Sequence, residues 1–351
     1  MKTLRLSADP AHLESDAARA AIAQAAEILR RGGTVAFPTE TVYGLGANAL
    51  DADAVAKIFA AKERPGWDPL IVHIGDSGLI ESVAASVSGN ARALIDAFWP
   101  GPLTLLLPKH PRLPELVTAG RERVGVRMPA HPVALALLRA AAVPVAAPSA
   151  NRFGHTSATT AEHVADDLDG RIDAILDGGP ATHGVESTVL DVRDRTGTIL
   201  RPGVVTLEQI RAVFEGEVSQ LGESAADPAA GQSAVAPGMG MRHYAPRARL
   251  VLIEGEGATQ ARLLAEAALA TEAAGEAVGL MLPAEFPAPA LENAKIFRWG
   301  KWDDPEDLAR RLFAGLRWLD AAGVSVIVCP LPAGQGLGVA IRDRLRKAAR
   351  R

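Results

Sequence analysis

Residues 33–74 place the tightest limit on what this chain can fold into. A short apolar run, residues 34–37, predicts a buried strand that stops at Pro38, because proline cannot donate the next hydrogen bond of a sheet. The pattern then predicts a helix that begins near Asp51 and a second strand over residues 70–74. Strand, turn, helix and strand in this order are typical of an α/β protein.

The turn that follows the first strand is crowded with polar side chains, namely Thr39, Glu40, Thr41 and Tyr43. Gly44 and Gly46 come next, and glycine tolerates positive φ and lets a ligand approach the backbone closely. We therefore interpret this turn as a candidate binding loop.

Charged residues end the predicted helix. Lys62 and Arg64 flank Glu63 just before a proline, and His73 lies in the strand that follows. Two cations at this place can simply favour the C-terminus of a helix, which is the commoner role for such a pair. The alternative is that they bind an anion beside the polar turn.

Composition narrows the class of protein. At 351 residues the chain is longer than a typical single core, which predicts two domains. A net charge of -4 and an aromatic content of 4% argue against a basic surface that stacks bases. The single cysteine, Cys329, allows neither an intrachain disulfide nor a cysteine metal cluster. We expect a cytoplasmic protein without a membrane segment, since the sequence has no long apolar span and no signal-peptide pattern.

A further candidate cation lies in the strand predicted at residues 124–128. Burial of Arg127 in this apolar strand is unfavourable unless its charge meets an anion. Arg127 is therefore a candidate for binding a carboxylate or phosphate. An exposed edge strand would remove that constraint.

Small polar residues follow the strand predicted at residues 143–147. Ser149 and Asn151 come directly after it, and α/β proteins commonly bind ligands at the carboxyl ends of strands. An ordinary connection capped by serine and threonine is the alternative. Further along the chain, Ser187 precedes another predicted strand and Arg201 precedes a proline.

A change of composition separates two predicted domains. We expect a first domain over residues 1–214, a linker over 215–247 and a second domain over 248–351. The linker lacks periodicity for most of its length, but its end contains His243 and Tyr244. A polar loop of this kind between domains is more often a lid or clasp than a spacer.

The second domain reads as alternating strands and helices. The predicted strands are 249–254, 277–282, 294–298 and 324–329, and the helices are about 258–274, 304–321 and 337–349. This alternation predicts a small parallel sheet. Two glycine-rich segments, residues 255–257 and 334–338, do not match G-x-G-x-x-G, so nucleotide binding is not expected in this domain.

The motifs together resemble the two-domain branch of the YrdC-like family. The resemblance rests on the PTET turn, the K-x-R pair, the DPLIVHI strand, PSAN followed by S-x-x-T, and the HYAP segment. It implies a YrdC-like twisted mixed α/β sheet domain followed by a small Rossmann-like parallel α/β domain.

The resemblance also implies a nucleotidyltransferase reaction. ATP, L-threonine and bicarbonate would give L-threonylcarbamoyladenylate and pyrophosphate, with Mg²⁺ carried by ATP. The product would pass to a tRNA threonylcarbamoyl transferase, as the first step of threonylcarbamoyladenosine modification of tRNA. Weak contact with tRNA is a further expectation.

The functional positions of the family carry over to this chain one by one. Lys62 and Arg64 match its catalytic pair, which holds the triphosphate. The positions around threonine are Thr41, His73, Arg127, Ser149 and Ser187. On the nucleotide side, Lys62 and Arg64 are joined by Asn151, Thr159, Arg201 and Tyr244. Asp68 replaces the usual asparagine, and Asp68, Arg123 and His243 are candidates without an assigned role. No protein side chain is expected to ligate a metal.

Two other functions fit part of the sequence. The arginines of the first domain could bind structured RNA, although the net charge and the few aromatic residues argue against it. An ATP-dependent carbamoyl transferase of the hydrogenase-maturation kind also contains a YrdC-like domain. The zinc-finger cysteines and acylphosphatase-like segment of such a protein are missing from this sequence.

Overall fold

The computed structural model of the protein describes residues 2–221 and 243–350, which divide into two compact units. The first unit comprises Met1–Phe153, Ser157–Thr182 and Glu186–Gly240. The second comprises Gly154–Thr156, His183–Val185 and Met241–Arg351. The domain and linker boundaries at 214, 247 and 248 stay predictions, and most of the predicted linker, residues 222–242, lies outside the described residues.

One mixed sheet organises the first unit. Its strands in chain order are β1 (Leu4–Ser7), β2 (Val35–Phe37), β3 (Gly44–Asn48), β4 (Ile71–His73), β5 (Leu103–Pro108), β6 (Arg123–Arg127), β7 (Val145–Ala146), β8 (Ala174–Asp177), β9 (Thr188–Val192), β10 (Thr196–Arg201) and β11 (Glu217–Gln220). Their order in the sheet is β1-β8-β2-β3-β7-β4-β6-β5-β9-β10-β11. The sheet contains parallel pairs such as β4 with β6 and antiparallel pairs such as β5 with β6, which confirms the predicted mixed sheet.

Helices cover both faces of this sheet. They are α1 (Asp16–Arg30), α2 (Ala52–Lys62), α3 (Gly89–Phe98), α4 (Glu115–Thr118), α5 (Pro132–Ala141), α6 (Ala161–Leu168) and α7 (Leu207–Arg211), with a 3-10 helix at Ser77–Ser82. Side-chain caps fix where several of them begin. The Asp51 carboxylate, for example, accepts hydrogen bonds from the first amides of α2. The larger buried apolar clusters in the described part of this unit lie around Ile58 and Leu105 and around Leu29 and Leu137.

Strand β3 was not expected from the sequence. Gly44 and Gly46, which follow the polar turn, belong to this strand. A Cβ added to Gly46 would lie 2.7 Å from Val145 Cγ1 and 2.8 Å from Phe37 Cε1. Glycine is therefore required here so that neighbouring strands can pack closely. A strand with two glycines has no apolar alternation, which is why the sequence pattern does not show it.

The end of the first unit also differs from expectation. Helix α7 ends at Arg211, before the predicted end of the first domain at residue 214. Strand β11 then lies inside the predicted linker and pairs in parallel with β10. Only Val218 of this edge strand is buried, so it leaves no apolar run for sequence patterns to detect.

The second unit is a four-stranded parallel sheet with three helices in its described part. The elements are β12 (Arg249–Ile253), α8 (Gly257–Ala273), β13 (Val278–Pro283), β14 (Lys295–Gly300), α9 (Pro305–Ala321), β15 (Val326–Pro330) and α10 (Leu337–Ala349). The strand order is β12-β15-β13-β14, which confirms the predicted parallel α/β architecture. Gln260 Nε2 donates to Ile253 O and to Leu331 O, both at 2.9 Å. This side chain ties together the ends of β12 and β15.

Across residues 2–221 and 243–350, no helix combines the length and the apolar character that crossing a bilayer requires.

Candidate active site

The ends of strands β4 and β6 bring two predicted threonine-side residues together. His73 ends β4 and Arg127 ends β6, and the two are register partners in this parallel pair. Both side chains are buried, and Arg127 is only 3% exposed. A buried guanidinium requires an anionic or hydrogen-bonding partner, as the sequence indicated.

That partner is Glu40, from the polar turn after β2. Arg127 Nη2 donates to Glu40 Oε1 at 2.6 Å, and Arg127 Nη1 donates to Thr41 Oγ1 at 3.0 Å. A third bond runs from Arg127 Nε to Gly101 O at 3.1 Å. The polar turn and the end of β6 are therefore joined by one buried ion pair and one hydroxyl bond.

The charge states of this group follow from burial and from Arg127. Burial raises the pKa of the Glu40 carboxyl, but the charge and hydrogen bond of Arg127 outweigh it and hold this pKa below its usual value. Burial, with the nearby charge of Arg127, lowers the pKa of His73 to about 3. At neutral pH the group therefore contains a carboxylate, a guanidinium and a neutral imidazole.

A second buried group is a series of hydrogen bonds that links two hydroxyl side chains and an arginine. Thr104 Oγ1 and Ser187 Oγ are 2.8 Å apart, and Arg201 Nη2 donates to Ser187 Oγ at 3.2 Å and to Ser187 O at 3.0 Å. Gly203 allows this arrangement, because a Cβ there would lie 2.3 Å from Thr188 N. Ser187 is thus held between β5 and the end of β10.

Lys62 forms the centre of a third group. Its Nζ donates to Ser149 O at 2.6 Å and also to Asn151 O. The segment that it binds lies beside the polar turn, since Ala150 N donates to Tyr43 O at 2.7 Å. The structure therefore places the Lys62 ammonium against the backbone carbonyls of Ser149 and Asn151.

Arg64 lies in the loop after α2, next to Asp68. Arg64 Nη2 is 2.9 Å from Asp68 Oδ2, and both side chains are almost completely buried. Arg64 also donates from Nε to Asp68 O at 3.1 Å and from Nη2 to Pro69 O at 2.8 Å. The negative charge of Asp68 therefore lies directly beside Arg64, one of the two cations expected to hold a triphosphate.

Comparison with known proteins adds the family. Residues 27–203 match the Sua5/YciO/YrdC family described as "Telomere recombination", and residues 205–350 match "Threonylcarbamoyl-AMP synthase, C-terminal domain". The threonylcarbamoyl-AMP synthase of Pyrococcus abyssi is 45% identical over 329 residues, which cover 93% of each chain. This chain belongs to the threonylcarbamoyl-AMP synthase family. The suggested resemblance is thereby confirmed.

Two further relatives agree with this family membership. The threonylcarbamoyl-AMP synthase of Bacillus subtilis is 46% identical over 329 residues, covering 93% of this chain and 92% of that one. A crystal structure of P. abyssi Sua5 complexed with L-threonine superposes with a TM-score of 0.91 at 41% identity. That comparison covers 99% of this chain and 98% of the Pyrococcus chain.

The other predicted residues of this synthase-family chain make contacts of their own. Arg123 begins β6, at the opposite end of the strand from Arg127, and donates to Leu106 O and Val192 O. Thr159 lies before α6, where its hydroxyl is 3.2 Å from His163 Nδ1. Tyr244 and His243 belong to the second unit. Tyr244 stacks on Phe313, with ring centroids 5.7 Å apart, and the guanidinium of Arg344 lies over the tyrosine ring.

Sequence reasoning did not assign a role to two buried members of these groups, Glu40 and Thr104. The signal for Glu40 was present, because a buried Arg127 demands an anion and Glu40 is the carboxylate of the polar turn. Thr104 lies in an apolar strand, where one hydroxyl gives no distinctive pattern. In the described parts of the chain, no three histidine, cysteine or acidic side chains are grouped as a metal site would require.

Proposed function

We propose that this chain is a threonylcarbamoyl-AMP synthase that converts ATP, L-threonine and bicarbonate to threonylcarbamoyl-AMP and pyrophosphate. The observation that carries the proposal is the similarity over nearly the whole chain to P. abyssi Sua5, whose crystal structure contains L-threonine. The buried cations of the first unit support it, since a polyanion and a zwitterion both require fixed positive charge.

The reaction in this proposal is a direct transfer between bound substrates. Bicarbonate takes up a proton and loses water to give CO₂. The neutral amino nitrogen of threonine then forms a bond to the carbon of CO₂, one C=O π bond opens, and the nitrogen releases one proton, which leaves a carbamate. A carbamate oxygen then attacks the α-phosphorus of ATP, and the bond to the bridging oxygen of pyrophosphate breaks. Negative charge grows on the phosphoryl oxygens and on pyrophosphate, so fixed cations stabilise the transition state.

The phosphate side is assigned to Lys62 and Arg64, with Asn151, Thr159 and Arg201 nearer the nucleoside. Lys62 is held by two backbone carbonyls and Arg64 by Asp68 and two more, so neither cation has to reorganise during the reaction. Mg²⁺ enters with ATP as part of that substrate.

The threonine side is assigned to Thr41, His73, Arg127, Ser149 and Ser187. Arg127 is suited to the carboxylate of threonine, because a guanidinium binds carboxylates through paired N–H groups. A neutral His73 hydrogen-bonds the substrate without adding charge, and its Nδ1 has no hydrogen-bond partner within the described structure. Thr41 and Ser187 supply short hydroxyl groups to the same side.

Tyr244 is assigned to the nucleotide side, with His243 next to it. The structure of a P. abyssi Sua5 variant in which a histidine and the tyrosine after it are replaced by alanine has a TM-score of 0.89 to this chain. The predicted linker would then act as a lid that protects the adenylate from water. Transfer of the product to a tRNA threonylcarbamoyl transferase, weak tRNA contact and a cytoplasmic location belong to the same proposal.

Pyrophosphate release from ATP and Mg²⁺ tests the proposed reaction. We expect release only when threonine and bicarbonate are both present, together with the mass of threonylcarbamoyl-AMP in the products. Release that ignores threonine would contradict the assigned pocket. The comparisons support the synthase and not the RNA-binding alternative. Salt-sensitive tRNA binding without any pyrophosphate release would reverse that preference.

A further inference from the structure

Glu40 has one carboxylate oxygen in use and one without a partner. Oε1 accepts the bond from Arg127, whereas Oε2 is buried and has no partner at normal hydrogen-bond geometry among the described residues. The backbone amides of Glu40 itself and of Ala130 lie near enough to lower the pKa of the carboxyl, but they do not complete such a bond to Oε2. The residue is only 5% exposed. A buried carboxylate oxygen that lacks a donor is strongly unfavourable, so its presence in a binding site requires an explanation.

The neighbouring side chains do not provide this donor. Arg127 donates to Gly101 O, to Thr41 Oγ1 and to the other oxygen of Glu40, and none of these three bonds reaches Oε2. His131 lies close enough to Glu40 for the carboxylate to act on the pKa of the imidazole, although burial lowers that pKa overall. The Nδ1 atom of His131 is likewise buried and has no hydrogen-bond partner in the described structure. The missing donor is therefore one that a ligand can bring.

The chemistry of the proposed substrate matches this need. An α-amino acid carries an ammonium group close to its carboxylate, and the pair Glu40 and Arg127 presents the opposite charges side by side. The nitrogen also keeps an N–H when it becomes a carbamate. One acceptor can thus hold this nitrogen both before and after carboxylation.

We infer that Glu40 binds the amino group of threonine, with Oε2 accepting an N–H bond from the substrate. This inference rests on the proposed function, because it assigns a residue to the proposed threonine site. It makes Glu40 a substrate-binding residue and a determinant of specificity for α-amino acids. A carboxylate at this position also discriminates against acids that have no donor on the α-carbon, such as 3-hydroxybutyrate.

A purely positioning role makes a different prediction. If Glu40 only orients Arg127, its loss weakens every ligand that uses the carboxylate contact. If Glu40 binds the amino group, its loss weakens only ligands that have one. Threonine and (R)-3-hydroxybutyrate, the analogue of threonine without the amino group, separate the two roles.

The experiment is calorimetric titration of the full-length protein and its Glu40→Gln variant with both ligands. Glutamine keeps the size and one acceptor for Arg127, but it removes the charge and presents N–H groups to the substrate amine. We expect threonine binding to weaken about 10- to 100-fold and 3-hydroxybutyrate binding to stay within about twofold. Equal weakening of both ligands, or no change in either, would overturn the inference.

Matched variants keep the test decisive. Asp173→Asn neutralises another partly buried carboxylate, which accepts bonds from Thr34, and should leave both ligands unaffected. If Glu40→Gln does not fold, Glu40→Asp retains the charge beside Arg127 while shortening the reach, and the same selective loss is expected. Failure of the wild-type protein to bind threonine or release pyrophosphate would overturn the proposed function. Normal wild-type behaviour with unselective loss in the Glu40 variants would overturn this inference alone.

Discussion

The described part of the first unit contains two buried arginine–carboxylate pairs that are assembled in different ways. Arg64 and Asp68 are four residues apart in one loop, and the loop carbonyls hold Arg64 as well. Arg127 and Glu40 are 87 residues apart and meet only when the turn after β2 and the end of β6 are both in place. The first pair forms with its own loop, whereas the second depends on the whole sheet.

The two pairs therefore have different roles. Asp68 adjusts the charge around Arg64, whereas the pair of Arg127 and Glu40 stabilises the folded sheet. The loop can lose its carboxylate and still hold Arg64 through backbone carbonyls. The sheet cannot lose Arg127 without leaving the Glu40 carboxylate buried and unpaired. We therefore expect substitutions at the distant pair to affect folding strongly and the substitution of Asp68 to affect it weakly.

The largest expected effect is that of Arg127→Ala. Removing one partner of a buried ion pair lowers the free energy of unfolding by about 3–5 kcal/mol, because the remaining charge stays buried. Urea unfolding, followed by hydrogen exchange of the β4 and β6 amides, measures the loss. Adding Glu40→Ala to this variant should recover part of it. If the Arg127→Ala variant were as stable as the wild type, the pair of Arg127 and Glu40 would not contribute to the free energy of unfolding.

A smaller loss, confined to activity, is expected for Lys62→Ala. Removing one fixed cation should lower kcat/KM for ATP about 10²- to 10³-fold, by analogy with the loss of one oxyanion donor. Lys57→Ala is the matched control, because Lys57 lies on the same helix and its Nζ also donates to a carbonyl, that of Gly32. Steady-state pyrophosphate release checks both variants. Equal losses in the two would remove Lys62 from the phosphate side.

The buried imidazole of His73 makes the free energy of unfolding depend on pH. Its folded pKa of about 3 lies below the ordinary value of 6.5, so the unfolded chain binds more protons between these values. Stability contributed by neutral His73 is present above pH 6.5 and falls by up to about 1.4 kcal/mol per pH unit as the pH drops. His73→Gln should remove this part of the decline. Unfolding free energies at pH 7 and pH 5 test it, and parallel declines in both proteins would be inconsistent with a buried neutral imidazole.

The smallest effects are expected for Asp68→Asn. Asparagine keeps the shape of the loop and Arg64 keeps its carbonyl partners, so the free energy of unfolding should change by less than about 1 kcal/mol. Without the negative charge, Arg64 should attract the triphosphate more strongly, and KM for ATP should fall by less than about tenfold. A rise in KM would mean that Asp68 helps ATP binding by fixing Arg64.

The contrast between local and long-range contacts also explains which parts of the fold and of the site the sequence predicts. The parallel sheet of the second unit was predictable, because each strand and helix shows its own periodicity. Strands β3 and β11 were not, since one contains two glycines and the other buries a single residue. In the site, the K-x-R pair and the Ser149–Asn151 segment are local motifs that a sequence displays.

The pairing of Glu40 with Arg127 could be predicted only in part. Sequence showed that a buried arginine needs an anion, but an internal carboxylate and a bound ligand satisfy that need equally well. The register of β4 with β6 and the path of the turn decide between them, and both are products of the assembled sheet. Long-range contacts of this kind are what a single sequence does not reveal.

The central claim is that the two arginine pairs serve two substrates, Arg64 the triphosphate and Arg127 the threonine carboxylate. Dissociation constants for threonine and for a non-hydrolysable ATP analogue, measured in Arg64→Lys and Arg127→Lys, test it most directly. Lysine keeps the charge but loses the paired N–H geometry. We predict that Arg64→Lys weakens only the nucleotide and Arg127→Lys weakens only threonine, each about tenfold or more. If each variant weakened both ligands equally, the division of the site between the two pairs would be contradicted.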